Sequence, residues 1–548
     1  MTEHKAGAES LFRFRPYRPE RSDKLPPCRA NCPSGTPIRD WIAEIAQAPA
    51  GAAKREAYGR AWRLLVASNP FPATMGRICP HPCEAQCNRA DKDGAVAVNA
   101  LERFLGDWAI EQGLSLPVDA GAARPESIGV IGAGPAGMSF AYQMRRRGYP
   151  VTVYERHDHA GGMLRYGVPD YRLPPRILDA ELNRIFELGV TLVAPVRVGF
   201  DISVAELQSR HRVLFLGFGA QHGHRLGVPG EYGSQVFSGV DFLERANCGT
   251  LPALGDRVVV VGGGNTAIDA ARVARRTGAA VTILYRRCRE DMPAIGEEVD
   301  AALEEGIEIR FLTTPAALVH GDTGALVGVR TRQLRVIGRD EGGRSKVEPL
   351  SGETGVVLAS SLVSAVSQEP DWGGLGSLAA QPDVLEAGAH ETGEGLVLSV
   401  GGDLTGLDLA SHAIGQGRAA AEAVDARLRG LVIPPMTGTA VPRVQADHYP
   451  GAGRLHPAVD PAAQRLAHPM QESSHTITEE EFLREIARCF SCGLCNGCSL
   501  CWMYCGGNGF TRLESPSPGH YFAFSTDECT GCGKCIELCP TGFIGQSS

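Results

Sequence analysis

The stretch from Glu126 to Glu155, ESIGVIGAGPAGMSFAYQMRRRGYPVTVYE, constrains the fold more than any other part of the chain. A β-branched run, Ile128 to Ile131, leads into Gly132-Ala133-Gly134-Pro135-Ala136-Gly137. An amphipathic helix follows, and a second apolar run ends in an acid. In that order these features read as a βαβ dinucleotide-binding unit. Gly132 allows the tight turn, Gly134 admits a pyrophosphate against the backbone, and Gly137 lets helix pack on strand, while the helix N-terminus turns free N–H groups toward phosphate. Glu155 is then placed to hold a ribose hydroxyl. A functionless glycine turn is the plain alternative for GxGxxG alone, and the ordered context argues against it.

With 548 residues the chain has room for three or four domains. Its net charge of −8 speaks against a nucleic-acid surface, and no apolar run approaches the length of a membrane span. The start, MTEHKAGAESLFRFRPYRPE, lacks a hydrophobic signal core, so the expectation is a soluble cytoplasmic protein. Of 17 cysteines, 10 fall between Cys489 and Cys539 and 5 between Cys28 and Cys87. Without a secretion signal, such clustering reads as metal ligation rather than disulfides. Cys248 and Cys288 stand apart and read as ordinary packed thiols.

Residues 1–115 carry Cys28-x3-Cys32-Pro and Cys79-x3-Cys83-x3-Cys87 among helical patterns such as IRDWIAEIAQ and GRAWRLLVASNP. An iron–sulfur domain is the sharp reading, and a helical domain with spare thiols the bland one. The first dinucleotide unit, 120–240, continues into AGGMLRYGVPDYRLP, a loop able to wrap a flavin, with Gly162 and Arg165 as its cofactor-facing candidates. After the turn Gly217 to Gly219 the chain crosses to a second unit, 241–374, which contains RVVVVGGGNTAIDAARVARRTGAAVTILYRR. Here Gly262, Gly264 and Ala267 hold the glycine positions, and Asn265 and Thr266 open the helix. Arg286 and Arg287 stand where the first unit has its acid. An arginine pair suits the extra phosphate of NADP; a solvated strand end is the alternative. Residues 375–430 return to the first domain through Gly402 and Asp403, the latter a partner for flavin hydroxyls or merely a helix cap. Residues 431–485 are proline-rich and read as a surface linker.

The last segment, 486–548, contains Cys529-x2-Cys532-x2-Cys535-x3-Cys539-Pro540, the run of a bacterial two-cluster ferredoxin. Cys495-x2-Cys498-x2-Cys501-x3-Cys505 repeats the spacing. Since the fourth cysteine of each run ligates the other cluster, Cys495, Cys498, Cys501 and Cys539 form one 4Fe–4S set, and Cys529, Cys532, Cys535 and Cys505 the other. Zinc is the rival metal. Cys489 and Cys492 are surplus to these two clusters.

With these motifs the chain resembles the small (β) subunit of NADPH-dependent glutamate synthase and its relatives over roughly residues 25–430. The resemblance is carried by GRICPHPCEAQC, GAGPAGM, GGMLRYGVPDYRLP, GGGNTAIDAARVA and YRRCREDMPA. The tail, with IARCFSCGLCNGC, resembles longer members such as the flavoprotein that serves dissimilatory sulfite reductase. This implies an α/β protein with two Rossmann-like domains, for FAD and for NADP(H) or NAD(H), flanked by an N-terminal helical iron–sulfur domain and a C-terminal two-cluster ferredoxin domain. It also implies an oxidoreductase that exchanges hydride between NAD(P)H and FAD and passes single electrons through 4Fe–4S clusters. The implied partner is a larger redox complex, such as a 2-oxoacid:ferredoxin oxidoreductase or a sulfite reductase, or a ferredoxin. A glutamate synthase subunit is the alternative. By the same resemblance Cys32, Cys79, Cys83 and Glu102 hold one N-terminal cluster. Relatives with a second one carry a Cys-x2-Cys upstream of Cys28 that this chain lacks, leaving Cys28 and Cys87 as half a ligand set. The expectation is about three clusters in all, with no acid–base catalytic residue. Phe218, where relatives have threonine, and Ser364 and Ser367 depart from the pattern near the flavin.

Overall fold

The computed structural model describes residues 19–21, 24–119, 121, 123–379, 389–391, 397–404, 409–432 and 444–546. Ile128–Ile131, buried at every residue, lies inside a six-stranded sheet of order Ala389–Glu391, Val397–Val400, Val213–Leu216, Ile128–Ile131, Val151–Tyr154, Thr191–Val193. All neighbours are parallel except the edge strand Ala389–Glu391. A parallel strand needs cover on both faces, which explains its unbroken apolar run. The helix Pro135–Arg146 covers one side, with Phe140 stacked on Phe215 at 4.2 Å. The helix Ala410–Arg429 lies against it at Gly417, where a Cβ would stand 2.3 Å from the Ala136 carbonyl oxygen.

The second sheet is wholly parallel, in the order Glu308–Arg310, Ala280–Leu284, Arg257–Val261, Ser361–Ser364, Val236–Ser238. It interrupts the first, and Val236–Ser238 already belongs to it, ahead of the expected boundary at 240/241. The two crossings are themselves paired, Ala220–Gly223 against Gln368–Pro370. An antiparallel meander of Thr313–His320, Leu326–Arg339 and Ser345–Leu358 is inserted into this domain.

The helices Ile38–Ala46, Ala52–Val66, Pro72–Ile78 and Val98–Glu111 bury Trp41, Trp62, Leu65 and Leu101. Pro72–Ile78 and Val98–Glu111 cross backbone to backbone: a Cβ at Gly76 would lie 2.4 Å from the Arg103 nitrogen, and one at Gly106 2.3 Å from that of Ala73. The flavin-side helix Pro175–Glu187 joins this domain through Glu181, whose carboxylate accepts the N–H groups of Ala73 (2.7 Å) and Thr74 (2.9 Å). That cap holds the helix whose C-terminus delivers Cys79.

The stretch 444–485 corrects the linker reading. Arg454 reaches Glu84 (2.5 Å) and the Ala95 carbonyl (3.0 Å), Leu455 and Ile477 are buried, and Arg465 is almost fully enclosed. The helix Glu479–Ala487 starts on a Thr478/Glu481 capping box and buries Phe482 between the rings of Phe104 (4.1 Å) and Tyr58 (5.5 Å). A boundary at 485/486 therefore cuts a helix that belongs to the N-terminal core. Prolines and glycines signalled irregular backbone, but irregular backbone can still be anchored by a few widely spaced apolar residues.

Buried charge ties the domains together. Arg172 meets Asp269 (2.7 Å) and Glu298 (3.3 Å), while Glu305, inaccessible to solvent, is held by Arg272 (2.6 Å), Arg276 (2.6 Å) and Arg465 (3.1 Å). Burial alone would raise the Glu305 pKa, yet its arginine hydrogen bonds keep it low. Glu305→Ala would strand these guanidinium groups and is expected to cost about 3–5 kcal/mol, read as a lower unfolding midpoint. An unchanged midpoint would refute the network's role.

Glu181 gives the opposite pH behaviour. Burial raises its carboxyl to about 7, against the opposing hydrogen bonds of Thr74 and Ala73 and the charge of Arg184. A raised folded-state pKa stabilises below the unfolded value of about 4.3, and that contribution, on the order of 3 kcal/mol, is lost as pH rises through about 7. Relative to Glu181→Gln, the wild-type chain should lose thermal stability between about pH 5 and pH 8. Parallel pH profiles would exclude this assignment.

Candidate functional site

A groove of about 1710 Å³, counting its open mouth, runs along the carboxyl ends of the first sheet and reaches the second domain. Gly132 (φ 98°) makes its turn, and a Cβ there would press on the Gly217 carbonyl oxygen at 2.6 Å. Gly137 is held tighter, its absent Cβ only 2.0 Å from the Gly132 oxygen, so the helix sits directly on the turn. Gly134 is the extended N-cap, and Gly162 (φ 51°) approaches it so closely that a Cβ would lie 2.8 Å from the Gly134 Cα. The helix N-terminus and two side-chain-free backbones thus leave an anion-sized cradle with N–H donors. Glu155, nearly buried, accepts the N–H groups of Ala133 (2.7 Å) and His157 (3.0 Å), which fix its carboxylate beside the cradle. These residues fit a bound dinucleotide. Gly402 (φ 75°) lines the far wall, and its N–H meets Gln416 Oε1 at 2.6 Å. The side chain of Asp403 lies outside the described residues.

Arg165 is corrected. Its guanidinium donates to the Ala160 carbonyl (2.6 Å) and pairs with Asp179, and it is absent from the groove lining. The loop sequence carried no signal of which side would face inward. Arg172, which the sequence did not single out, lines the groove; Phe218 does so as well, with Trp372 edge-on to its ring at 5.1 Å.

In the second unit Gly262 (φ 144°) leaves no room for a Cβ, which would stand 2.3 Å from the Ala365 oxygen. Gly264 caps the helix Asn265–Arg276 and faces open space, its nearest neighbour being 4.0 Å away, while Ala267 is buried in the strand–helix contact. Asn265 Oδ1 accepts the Ile295 N–H (3.0 Å), and both Asn265 and Thr266 border the shared groove. Arg286 is exposed. Arg287 is braced by the Ser345 carbonyl (2.9 Å) and Asp340 (3.6 Å), so the two arginines of the pair are not equivalent.

At the other end the groove is lined by Cys79 and Pro80. Cys79 caps one helix, Cys83 sits in the turn Pro82–Ala85, and Glu102 comes from Val98–Glu111. Burial, then Glu102 and also Cys32, push the Cys79 thiol up to about 12; Cys83 is raised by burial, Glu84, Cys32, Cys79 and Glu102. Glu102 accepts a hydrogen bond from Asn69 (2.7 Å) and is raised to about 8 by burial. The structure thus brings Cys32, Cys79, Cys83 and Glu102 together. In the tail Cys501 is raised to about 12 by burial and by Cys495, Cys498 and Cys539, and Cys535 to about 11 by burial and, among others, Cys529, Cys532 and Cys505. The cysteine neighbours of Cys501 and of Cys535 thus fall within the set that the spacing proposed for each. All the cysteines are free thiols, and among the described residues no three or more donors gather as for a metal ion. Four thiols per tail set, at the ferredoxin spacing, suit a cubane in which each sulfur meets a different iron. Sequence reasoning missed one grouping: Cys489 and Cys492 lie beside Cys28 and Cys87.

Comparison with known proteins matches three family descriptions: pyridine nucleotide-disulphide oxidoreductase at residues 126–341, dihydropyrimidine dehydrogenase domain II, 4Fe-4S cluster, at 22–114, and 4Fe-4S binding domain at 522–545. The NADPH-Fe(3+) oxidoreductase subunit beta of Geobacter sulfurreducens is 36% identical over 63% of this chain, which spans about half (51%) of that protein's length. The NADP(+)-dependent formate dehydrogenase subunit beta of Moorella thermoacetica is 33% identical over 80% of this chain and 67% of its own. The glutamate synthase [NADPH] small chain of Azospirillum brasilense is 32% identical over 73% of this chain and 86% of its own. None of the helices described is long and apolar enough to cross a membrane. The chain belongs to the glutamate synthase small-chain family of flavin- and iron–sulfur-containing NAD(P)H oxidoreductase subunits.

Proposed function

We propose that this chain is the cytoplasmic electron-transfer subunit of a larger redox complex, coupling NAD(P)H to a partner enzyme or ferredoxin. One observation carries the reading: a single groove is bordered by the phosphate cradle at Gly132–Gly137, by Asn265 and Thr266 of the second unit, and by Cys79. FAD bound there would exchange hydride with the nicotinamide and single electrons with the clusters. The chain's own residues position and insulate. Gly134 and Gly162 admit phosphate, Glu155 and Gly402 hold the cofactor's hydroxyl-bearing parts, and Gly262, Gly264 and Ala267 shape the second cradle. Cys32, Cys79, Cys83 and Glu102 hold the cluster nearest the groove. Cys495, Cys498, Cys501 and Cys539, and Cys529, Cys532, Cys535 and Cys505, hold the two clusters of the tail. The partner is a 2-oxoacid:ferredoxin oxidoreductase, a sulfite reductase or a similar enzyme. The alternative, glutamate formation with a glutamine-dependent subunit, is favoured by the Azospirillum relative, but that relative's alignment leaves about a quarter of this chain uncovered.

Anaerobic addition of NADPH to the purified chain should bleach the flavin band and support viologen reduction. A chain that binds flavin without bleaching would be a scaffold instead. Since a guanidinium–phosphate contact is worth about 1.5–3 kcal/mol, Arg286→Ala should raise the apparent KM for NADPH about tenfold and leave NADH nearly unchanged. Equal effects on both nucleotides would remove Arg286 from phosphate recognition.

A further inference from the structure

Three thiols that no ferredoxin run or groove absorbs, Cys28, Cys489 and Cys492, share one cavity with Cys87. Cys28 lies in the turn of helix Pro27–Ala30, Cys87 follows the turn Pro82–Ala85, and Cys489 and Cys492 come from the opposite end of the chain, directly after the helix Glu479–Ala487. The cavity holds about 460 Å³ with its mouth included, and it is closed by Pro26, Ile38, Ile42 and Phe490. Burial first, then Cys489, Cys492 and Cys87, raise the Cys28 thiol; burial, Cys492 and Cys87 carry Cys489 up to about 12. All four cysteines line this one cavity, with no disulfide among them.

The backbone adds an independent observation. Ser491 adopts the left-handed φ of 53°, which a β-substituted residue rarely holds, and its N–H donates to Cys489 Sγ at 3.4 Å. The same turn occurs twice within the stretches that the 4Fe–4S family descriptions match: His81 (φ 41°) donates to Cys79 Sγ at 3.3 Å, and Gly531 (φ 69°) to Cys529 Sγ at 3.4 Å. Asn88 Nδ2 also reaches Cys492 Sγ at 3.4 Å. N–H groups directed at ligand sulfurs in this manner are among the contacts that tune a cluster's potential.

We infer that Cys28, Cys87, Cys489 and Cys492 form the ligand set of a further 4Fe–4S cluster, shared between the two ends of the chain. The pair missing upstream of Cys28 is thereby supplied by Cys489-x2-Cys492, and the cluster total rises from three to four. The location gives the site a role. Cys83, from the set nearest the groove, lines this same cavity, and Tyr449 is influenced both by Cys489 and Cys492 and by Cys498 and Cys539 of the tail. The site lies between the groove-side cluster set and the ferredoxin sets. One electron would arrive from the Cys32–Cys79–Cys83 side and one would leave toward Cys501, with no bond formed or broken. The relay rests on the proposed NAD(P)H reading; the ligand set does not.

Iron, acid-labile sulfide and FAD are counted on the full chain, purified and reconstituted anaerobically. The inference expects about sixteen irons per chain, falling by a quarter to about twelve in Cys489→Ser/Cys492→Ser with FAD retained, and staying at sixteen in the control Cys248→Ser. About twelve irons in the wild-type chain, or sixteen retained in the double variant, would overturn it. If the double variant loses FAD through misfolding, Cys28→Ser, altered on the opposite wall, makes the same measurement. Electron paramagnetic resonance separates the relay from the site: after NADPH addition the tail-cluster signals should develop more slowly in the variant while dithionite still reduces them fully. Equal rates would refute the relay. Failure of NADPH to reduce the wild-type flavin at all would count against the proposed function and leave the iron count standing.

Discussion

A buried charge cluster directly upstream of Cys489 decides how the chain's two ends meet. Glu485, inaccessible to solvent, accepts the N–H groups of Ala97 (2.8 Å) and Leu455 (3.1 Å) and pairs with Arg488 (2.5 Å). Arg488 in turn reaches Asp93 (3.0 Å) and the carbonyls of Gly94 (2.7 Å), Ala95 (3.1 Å) and Ala452 (2.9 Å). Asp93 is also gripped by Arg89 (2.6 Å), which keeps its carboxyl well below the usual range, and Arg89 donates to the Arg488 carbonyl at 2.5 Å. Charges this deep are tolerable only when their donors and acceptors are met, and here they are met from both ends of the sequence. Arg89 stands two residues from Cys87, and Arg488 one residue from Cys489. The same cluster that docks the helix Glu479–Ala487 therefore sets the two pairs of thiols face to face.

A comparable arrangement joins the dinucleotide domains. Arg172 comes from the loop after the first cradle and Asp269 from the first turns of the second domain's helix. Both side chains line the groove, so their bond joins the two domains across it. Glu305 gathers Arg272 and Arg276 of that helix with Arg465 of the 444–478 segment, so the segment that docks the tail also braces the nucleotide domain. Arg276 lies over the Tyr171 ring at 3.8 Å and Arg272 at 4.8 Å, extending the contact into the neighbouring aromatic residue.

What could be read from the residues, and what could not, divides along the range of the signal. Glycines at Gly132, Gly134, Gly137 and Gly262 act within one turn, so their order alone announced both cradles. The interleaved grouping of the tail cysteines could be proposed from the residues because it follows from the spacing of the two runs. Helix Glu479–Ala487 starts on a local capping box, but its place in the N-terminal core could not be read, since Phe482 contacts Tyr58 across more than four hundred residues of sequence. The same separation hid the meeting of Cys28 and Cys87 with Cys489 and Cys492. Arg165 was misjudged because its orientation depends on Ala160 and Asp179, contacts that a loop composition does not encode. The bracing of Arg287 likewise depends on the inserted meander, of which the strand-end Tyr-Arg-Arg gives no hint.

Anchoring the tail alters how electrons must leave the chain. A tethered ferredoxin domain would search for its acceptor, whereas this one is pinned: Pro19–Arg21 pairs with Ile544–Gln546, Gln47 bonds the Cys495 carbonyl (3.3 Å) and the Tyr521 hydroxyl (2.7 Å), and Arg39 bonds the Cys492 carbonyl (3.2 Å). The cysteine sets then form a fixed series from the groove outward. Cys79 borders the groove, Cys83 borders the shared cavity, Tyr449 donates to the carbonyl of Phe490 on that cavity's wall (2.8 Å), and Cys539 follows Cys535 of the outer set by four residues. Only in the outer set is a ligand thiol, Cys532, exposed, and Asp527 and Glu528 beside it are exposed as well. On the proposed function, a partner would bring its acceptor to this acidic corner, and complementary positive charge there would speed the encounter at low salt and lose that advantage as ionic strength rises.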